Sequence, residues 1–334
     1  MARRWAERCK ARNHGYRHRA RYLRRGYRRG SRDWRDALPI SEQNLMRRAL
    51  RWLRNALLGL AAIIVIAALV IYVRSEQIVR RTYAEPLAPI AIPTDSASIA
   101  EGMRVARIRG CTGCHGSKLE GQMFVDDPML ARLASPDLTI AAREYSDAEL
   151  VRIIRRGVRP DGRSVVGMPS DMFSQLDDRD VGMIIAYLRS VPPSAGQRRG
   201  LRLGPIGRVG VAAGKFLPAA AEARRADALS SSYPRGGDST ARGAYLARTV
   251  CTECHALDLG GGDGTPDLRI AAGYSLESFV LLMRTGKALG DREVGPMSKV
   301  ARGRFSHFTD GEIQALHAYL KARAAAPQPT PAPK

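Results

Sequence analysis

The chain of 334 residues is long enough for two or three domains with separate cores, and its 54 Lys/Arg against 32 Asp/Glu give a formal net charge of +22. That charge is unevenly placed: basic and acidic side chains number 18 and 4 in residues 1–55, 13 and 13 in 98–192, 8 and 2 in 193–237, and 11 and 10 in 238–323. Nucleic-acid recognition needs a basic face on a folded module, and the two long segments lack one, so nucleic acid is not an expected partner.

Residues 1–55 form an Arg-rich leader with Tyr16, Tyr22 and Tyr27 interleaved. Contact with RNA or anionic lipid is open to such a segment, but a solvated cytoplasmic tail, with Cys9 as a free thiol, is the favoured reading. Ala56–Val73 (ALLGLAAIIVIAALVIYV) is an 18-residue run without charge, just long enough to span a bilayer as a helix. A buried core helix would normally show a polar face. Arg47, Arg48, Arg51 and Arg54 precede the run, and the weaker cluster Arg74, Arg80 and Arg81 follows it. The positive-inside rule then puts the N-terminus in the cytoplasm and everything after Val73 outside it. No small-x-small cleavage site follows closely, which favours an uncleaved anchor. Read from Met46, the chain is a short basic segment and then the apolar run, so Met46 is an expected alternative start, with residues 1–45 untranslated. Residues 74–97, with Pro86, Pro89 and Pro93, read as an extended spacer.

Residues 98–193 read as a first domain. A helix over Ser98–Gly110 leads into Cys111-Thr112-Gly113-Cys114-His115. The same pattern returns as Cys251-Thr252-Glu253-Cys254-His255, and the two copies use four of the five cysteines. C-x-x-C-H is the attachment signature of c-type haem: two thiols reach the two vinyl groups of one porphyrin, and the histidine falls on the proximal face of the iron. A zinc site would need both pairs to meet across 140 residues. A thioredoxin-like pair expects a strand–helix setting, whereas these flanks read as helices. Structural disulfides would leave both histidines unexplained.

Ser135-Pro136-Asp137-Leu138 follows the first motif. Ser146-Asp147-Ala148-Glu149 is a capping box opening a helix through Val158. Gly167-Met168-Pro169 reads as a loop, and Asp177–Asp180 caps a last helix, Val181–Ser190, that carries Tyr187-Leu188 and ends before Pro192-Pro193. Residues 194–237, rich in Gly, Arg, Ala and Pro, read as a linker wrapping over the domains, with a short helix around Ala219–Leu229. Residues 238–323 repeat the first domain's order. Gly243–Val250 leads into the second motif, Thr265-Pro266-Asp267-Leu268 matches Ser135–Leu138, and Tyr274-Ser275 opens a helix as Tyr145-Ser146 does. Met297 stands in the loop matching Met168, Thr309–Glu312 forms a capping box, and Tyr319-Leu320 follows. Phe173-Ser174 and Phe305-Ser306 precede the two Tyr-Leu pairs at equal distance. The pattern is an internal duplication. The Ala/Pro-rich tail, 324–334, reads as disordered.

Helix, C-x-x-C-H, Pro-x-Leu turn, Met-bearing loop and a last helix with Tyr-Leu make each half resemble a class I cytochrome c domain. Together, over residues 98–323, they resemble bacterial di-haem cytochromes c, whose members serve as cytochrome subunits of membrane-linked alcohol, aldehyde or gluconate dehydrogenases or as donors to terminal oxidases. The leader before Met46 lies outside that pattern. The resemblance implies an all-α fold: two tandem class I cytochrome c domains after one N-terminal transmembrane helix. It implies two covalently bound haem c groups. Cys111, Cys114 and His115 would hold the first, and Cys251, Cys254 and His255 the second. Met168 and Met297 lie where the family has its axial methionine, a ligand that raises the iron's potential. Met172 remains a rival at the first haem, while Met123 and Met129 lie too close to the first motif. Pro136 and Pro266 match prolines whose carbonyls accept a hydrogen bond from the ligating histidine, although an ordinary turn proline would look the same. His307 and His317 read as surface or core side chains.

The expected function is electron transfer by a membrane-anchored periplasmic cytochrome, between a dehydrogenase or quinol-linked donor and a downstream acceptor or oxidase, and not catalysis by the chain itself. It would be a free carrier or an integral subunit of a larger dehydrogenase or oxidase. The alternative is a haem enzyme such as a di-haem peroxidase, which needs one iron with a releasable sixth site; the matched methionines argue against it.

Overall fold

The computed structural model describes residues 40–194, 200–230, 240–262 and 264–326. Cys9, the leader tyrosines and the tail from residue 327 lie outside these residues. The chain falls into two units, 1–67 and 68–334. Helix α1, Ile40–Val79, runs for 40 residues through that boundary and contains the whole apolar run. Its most apolar window has a mean hydropathy of 3.0 and is 0% buried. Among the described residues nothing buries that window, so it lacks the burial of a core helix.

Past Ala67, the end of α1 is tied into the second unit. Ser75 is fully buried and donates from its hydroxyl to Tyr72 O. Arg208 donates to Ser75 Oγ and Glu76 Oε1, both at 2.9 Å, and lies 4.1 Å over the Tyr72 ring. The proline-rich stretch that follows packs on the first half: Tyr83 is buried beside Val158 and Ala220, and Ile90 and Ile92 lie against the first core.

That first half begins with α2, Ser96–Ile108, capped by Asp95, and passes through α3, Cys111–His115, to a hairpin of β1, Met123–Asp127, and β2, Ala131–Ala134. Then come α4, Leu138–Glu144, α5, Asp147–Arg156, α6, Ser170–Phe173, and α7, Asp178–Ser190. The capping box of Ser146 and Glu149 forms, and α5 stops at Gly157 in the left-handed conformation. Asp177 caps α7 through Asp180 N. Around these elements Val105, Leu119, Leu150, Met172, Val181, Ile185 and Leu188 form the core.

The connector is more ordered than its composition implies. Strand β3, Arg202–Leu203, adds to the hairpin in the order β1-β2-β3, pairing antiparallel with β2. Helix α8, Pro205–Ala212, follows, and then α9, Ala219–Ser230, which packs on α5 and α6. The reason is a small-residue face: Ala219, Ala220, Ala223 and Ala226 repeat at helical spacing and are all buried. The helix expected around Ala219–Leu229 is present as α9, while β3 and α8 are additions to the expected linker; β3 and α9 pack on the first half. The short strands were not legible either, and they supplement a predominantly helical fold.

The second half repeats the first. Helix α10, Ala241–Leu246, continues through a π turn, Ala247–Cys251, into α11, Thr252–His255. A 3₁₀ turn, Leu268–Gly273, precedes α12, Leu276–Thr285, the hairpin β4, Lys287–Ala288, with β5, Arg292–Glu293, and α13, Pro296–Gly303. A second 3₁₀ turn, Phe305–His307, leads to α14, Asp310–Ala325, opened by the Thr309/Glu312 capping box. In each half the first helix packs on the last at a glycine. A Cβ on Gly102 would lie 1.9 Å from Met183 O, and one on Gly243 would lie 2.0 Å from Ala315 O. The halves differ just before the motifs. Gly110 turns left-handed at φ 82° and breaks the helix, whereas Val250, at the matching place, keeps the chain helical through the π turn.

A polar seam centred on the buried Glu312 joins the halves. Arg104 donates to Glu101 and across to Glu312, and Arg242 also reaches Glu312. Burial alone would raise the Glu312 carboxyl; hydrogen bonds from Arg104, the Thr309 backbone and Arg242 outweigh it and hold it at about 2. Its folded value is thus depressed. The seam's contribution should be present above the ordinary carboxylate value of about 4.5 and be lost as pH falls toward about 2. A Glu312→Gln chain should show a shallower acid limb in urea-unfolding free energy against pH; an unchanged limb would refute this. Ser146→Ala and Thr309→Ala should each cost about 1 kcal/mol in the same assay, by loss of the N-cap oxygen.

Candidate functional site: the two C-x-x-C-H turns

Each motif occupies one short helical turn whose carbonyls and histidine are fixed from outside. In the first turn His115 Nδ1 lies 2.9 Å from Pro136 O. The Ser135 hydroxyl donates to Cys114 O at 2.6 Å, Gln122 Nε2 to Gly113 O at 2.6 Å, and Gly121 N to His115 O at 2.7 Å. In the second turn His255 Nδ1 lies 2.9 Å from Pro266 O, the Thr265 hydroxyl donates to Cys254 O at 2.7 Å, and Gly261 N donates to His255 O at 3.0 Å. The carbonyls of Pro136 and Pro266 only accept, so both Nδ1 atoms carry the proton. That fixes the tautomer and leaves both Nε2 lone pairs available. Burial lowers the His115 pKa, although the hydrogen bond to Pro136 works against it.

Cys111, Cys114, Cys251 and Cys254 are free thiols. Burial pushes Cys111 up to about 11 and Cys251 up to about 12, so both are protonated at neutral pH and neither is a reactive thiolate. Among the described residues, no three His, Cys, Asp or Glu side chains gather as a metal cluster.

Met168 is half-buried in the loop before α6, against the first core, and Met297 is half-buried at the start of α13, against the second. Met172 is fully buried within the first core. His317 is a core side chain, its Nε2 2.9 Å from Tyr274 O and its ring 5.1 Å from that of Phe279. The backbone carbonyl of His307 accepts from Arg104. Sequence reasoning missed the hydroxyls of Ser135 and Thr265, although their shared place before each proline was a usable signal. It also missed Arg304, which has no counterpart in the motif.

The arrangement therefore offers, twice, two reduced thiols and one imidazole Nε2 on a single rigid turn. The cytochrome c family model matches residues 99–192 and 240–324, more than half of the chain. The chain belongs to the cytochrome c family and carries two copies of its domain, which implies binding of haem c. It is 24% identical to the fructose dehydrogenase cytochrome subunit of Gluconobacter japonicus over 72% of this chain and 55% of that one. It is 26% identical to the cytochrome c subunit of the quinone alcohol dehydrogenase of Gluconacetobacter polyoxogenes over 68% and 56%, and 25% identical to that of Gluconobacter oxydans over 70% and 56%. The chain thus spans about half the length of the curated relatives it matches. Its cytochrome c domains and these relatives point to electron transfer.

Proposed function

We propose that the chain is a membrane-anchored di-haem cytochrome c carrying electrons on the outer face of the cytoplasmic membrane. The observation that carries the reading is the doubled histidine–proline lock, which presents Nε2 as the only free imidazole donor beside two reduced thiols. Cys111 and Cys114 would hold one haem through thioethers with His115 on its iron, and Cys251, Cys254 and His255 the other. Met168 and Met297 would supply the opposite ligand; burial of Met172 in the core favours Met168 over its rival. The haem supplies the one-electron chemistry when bound. The chain's own work is to fix the imidazole ring, through the Pro136 and Pro266 carbonyls, and to raise imidazole basicity by the same bond.

Helix α1 would be the anchor, with its arginine-flanked start in the cytoplasm and both turns in the periplasm. Retention of the helix is supported by the fully buried Ser75 and by the grip of Arg208 on Tyr72, Ser75 and Glu76, because these residues are part of the folded body. The partners would be a dehydrogenase or quinol-linked donor and a downstream acceptor or terminal oxidase, with the chain as free carrier or complex subunit. Denaturing mass analysis of protein matured outside the cytoplasm should show two added haems per chain. One haem, or none surviving denaturation, overturns the reading.

A further inference from the structure

Arg304 stands between α13 and α14 of the second half, but its side chain serves both halves. Its Nε–H donates to Ile108 O at 3.1 Å, a carbonyl at the C-terminal end of α2, three residues before Cys111. Its Nη1–H donates to Glu253 Oε2 at 2.7 Å, and Glu253 lies between Cys251 and Cys254. The guanidinium also lies flat against the backbone that opens the first turn: a Cβ on Gly110 would be 2.7 Å from Arg304 Cζ. Gly110 therefore has two reasons to be glycine, its positive φ and this contact. The Arg304 side chain is 17% exposed and its Nη2 is buried without a hydrogen-bond partner among the described residues. One cation thus satisfies an end carbonyl of the helix feeding the first turn and pairs with a carboxylate inside the second.

We propose that Arg304 is a positioning residue shared by both C-x-x-C-H turns, holding them in register and raising the reduction potentials of the two haems together. The inference rests on the haem reading above. A cation beside both turns favours the state with one more electron at either of them, and partial burial limits screening by salt. Glu253 is the counterweight. Its carboxylate sits inside the second turn and pairs with Arg304 Nη1 at 2.7 Å, while Arg304 Nε holds Ile108 O at the approach to the first. Both charges therefore act across the boundary between the halves.

The test is a spectroelectrochemical titration of the full-length holoprotein in detergent. Arg304→Gln should lower both midpoint potentials and Glu253→Gln should raise both. Arg304→Lys should recover most of the loss, and Lys321→Gln, which removes an exposed cation of α14, should move neither. A packing defect alone would not reverse sign between the two charge removals. A shift confined to one haem, no shift, or an equal shift in Lys321→Gln overturns the proposal. If Arg304→Gln does not fold, the rise expected in Glu253→Gln decides alone. A wild-type chain with fewer than two haems overturns the underlying haem reading instead, and the haem count of the same sample separates that failure from this one.

Discussion

Replacing Asp180 with alanine should destabilise the fold by about 3–5 kcal/mol, the expected cost of stranding one partner of a buried ion pair. Arg109 and Asp180 have side chains 2% and 4% exposed, joined by a hydrogen bond of 2.9 Å from Nη2 to Oδ2. The same carboxylate oxygen accepts the Tyr245 hydroxyl at 2.7 Å, so a group from the second half completes a pair made in the first. Nε and Nη1 of Arg109 have no hydrogen-bond partner among the described residues, although its guanidinium also lies 5.4 Å over the Tyr245 ring. Without Asp180 that cation is left in a dry seam with no anion. Burial pushes the Tyr245 hydroxyl well above its ordinary value, with Asp180 adding to the effect, so the tyrosine remains a donor at all physiological pH. Tyr245→Phe should cost only about 1 kcal/mol. The pairing of Arg109→Met with Asp180→Leu should recover most of the single-mutant loss, because removing both charges together is often neutral. Urea unfolding of the wild type, Arg109→Met, Asp180→Leu and the paired chain closes a double-mutant cycle. A loss below about 1 kcal/mol for Asp180→Ala would mean that the seam is wetter than its burial indicates.

Met168→Ala and Met297→Ala should each open one haem and leave the other closed. The two methionines sit against separate cores, so neither change should reach the far site directly. The ferrous wild-type protein should bind carbon monoxide poorly, and each variant should bind it at about one haem per chain. The potential of the opened haem should fall, since the thioether that favours reduced iron is gone. Met172→Ala provides the contrast. It should cost about 2–5 kcal/mol, as expected for emptying a fully buried site, and open no haem. Carbon monoxide bound at one haem of the wild type, or peroxide turnover above that of free haem, would instead favour a peroxidase.

The doubled cysteine motif, the helix caps and the apolar run were legible in the sequence because each is a local pattern. A thiol spacing, an N-cap oxygen three residues from its N–H, or 18 uncharged residues in a row needs no knowledge of what packs nearby. The duplication was legible because the same local signals recur in the same order. The tertiary structure decided the rest. In the connector the sequence marks a helix around Ala219–Leu229, but nothing local marks β3, Arg202–Leu203, which exists only by pairing with β2. Among 54 basic residues nothing local marks Arg109, Arg208 or Arg304. Arg109 meets Asp180 across 71 positions, Arg208 meets Glu76 across 132, and Arg304 meets Ile108 O across 196. Such pairs follow no periodicity: the fold brings the charges within hydrogen-bond reach, and burial decides which of them matter.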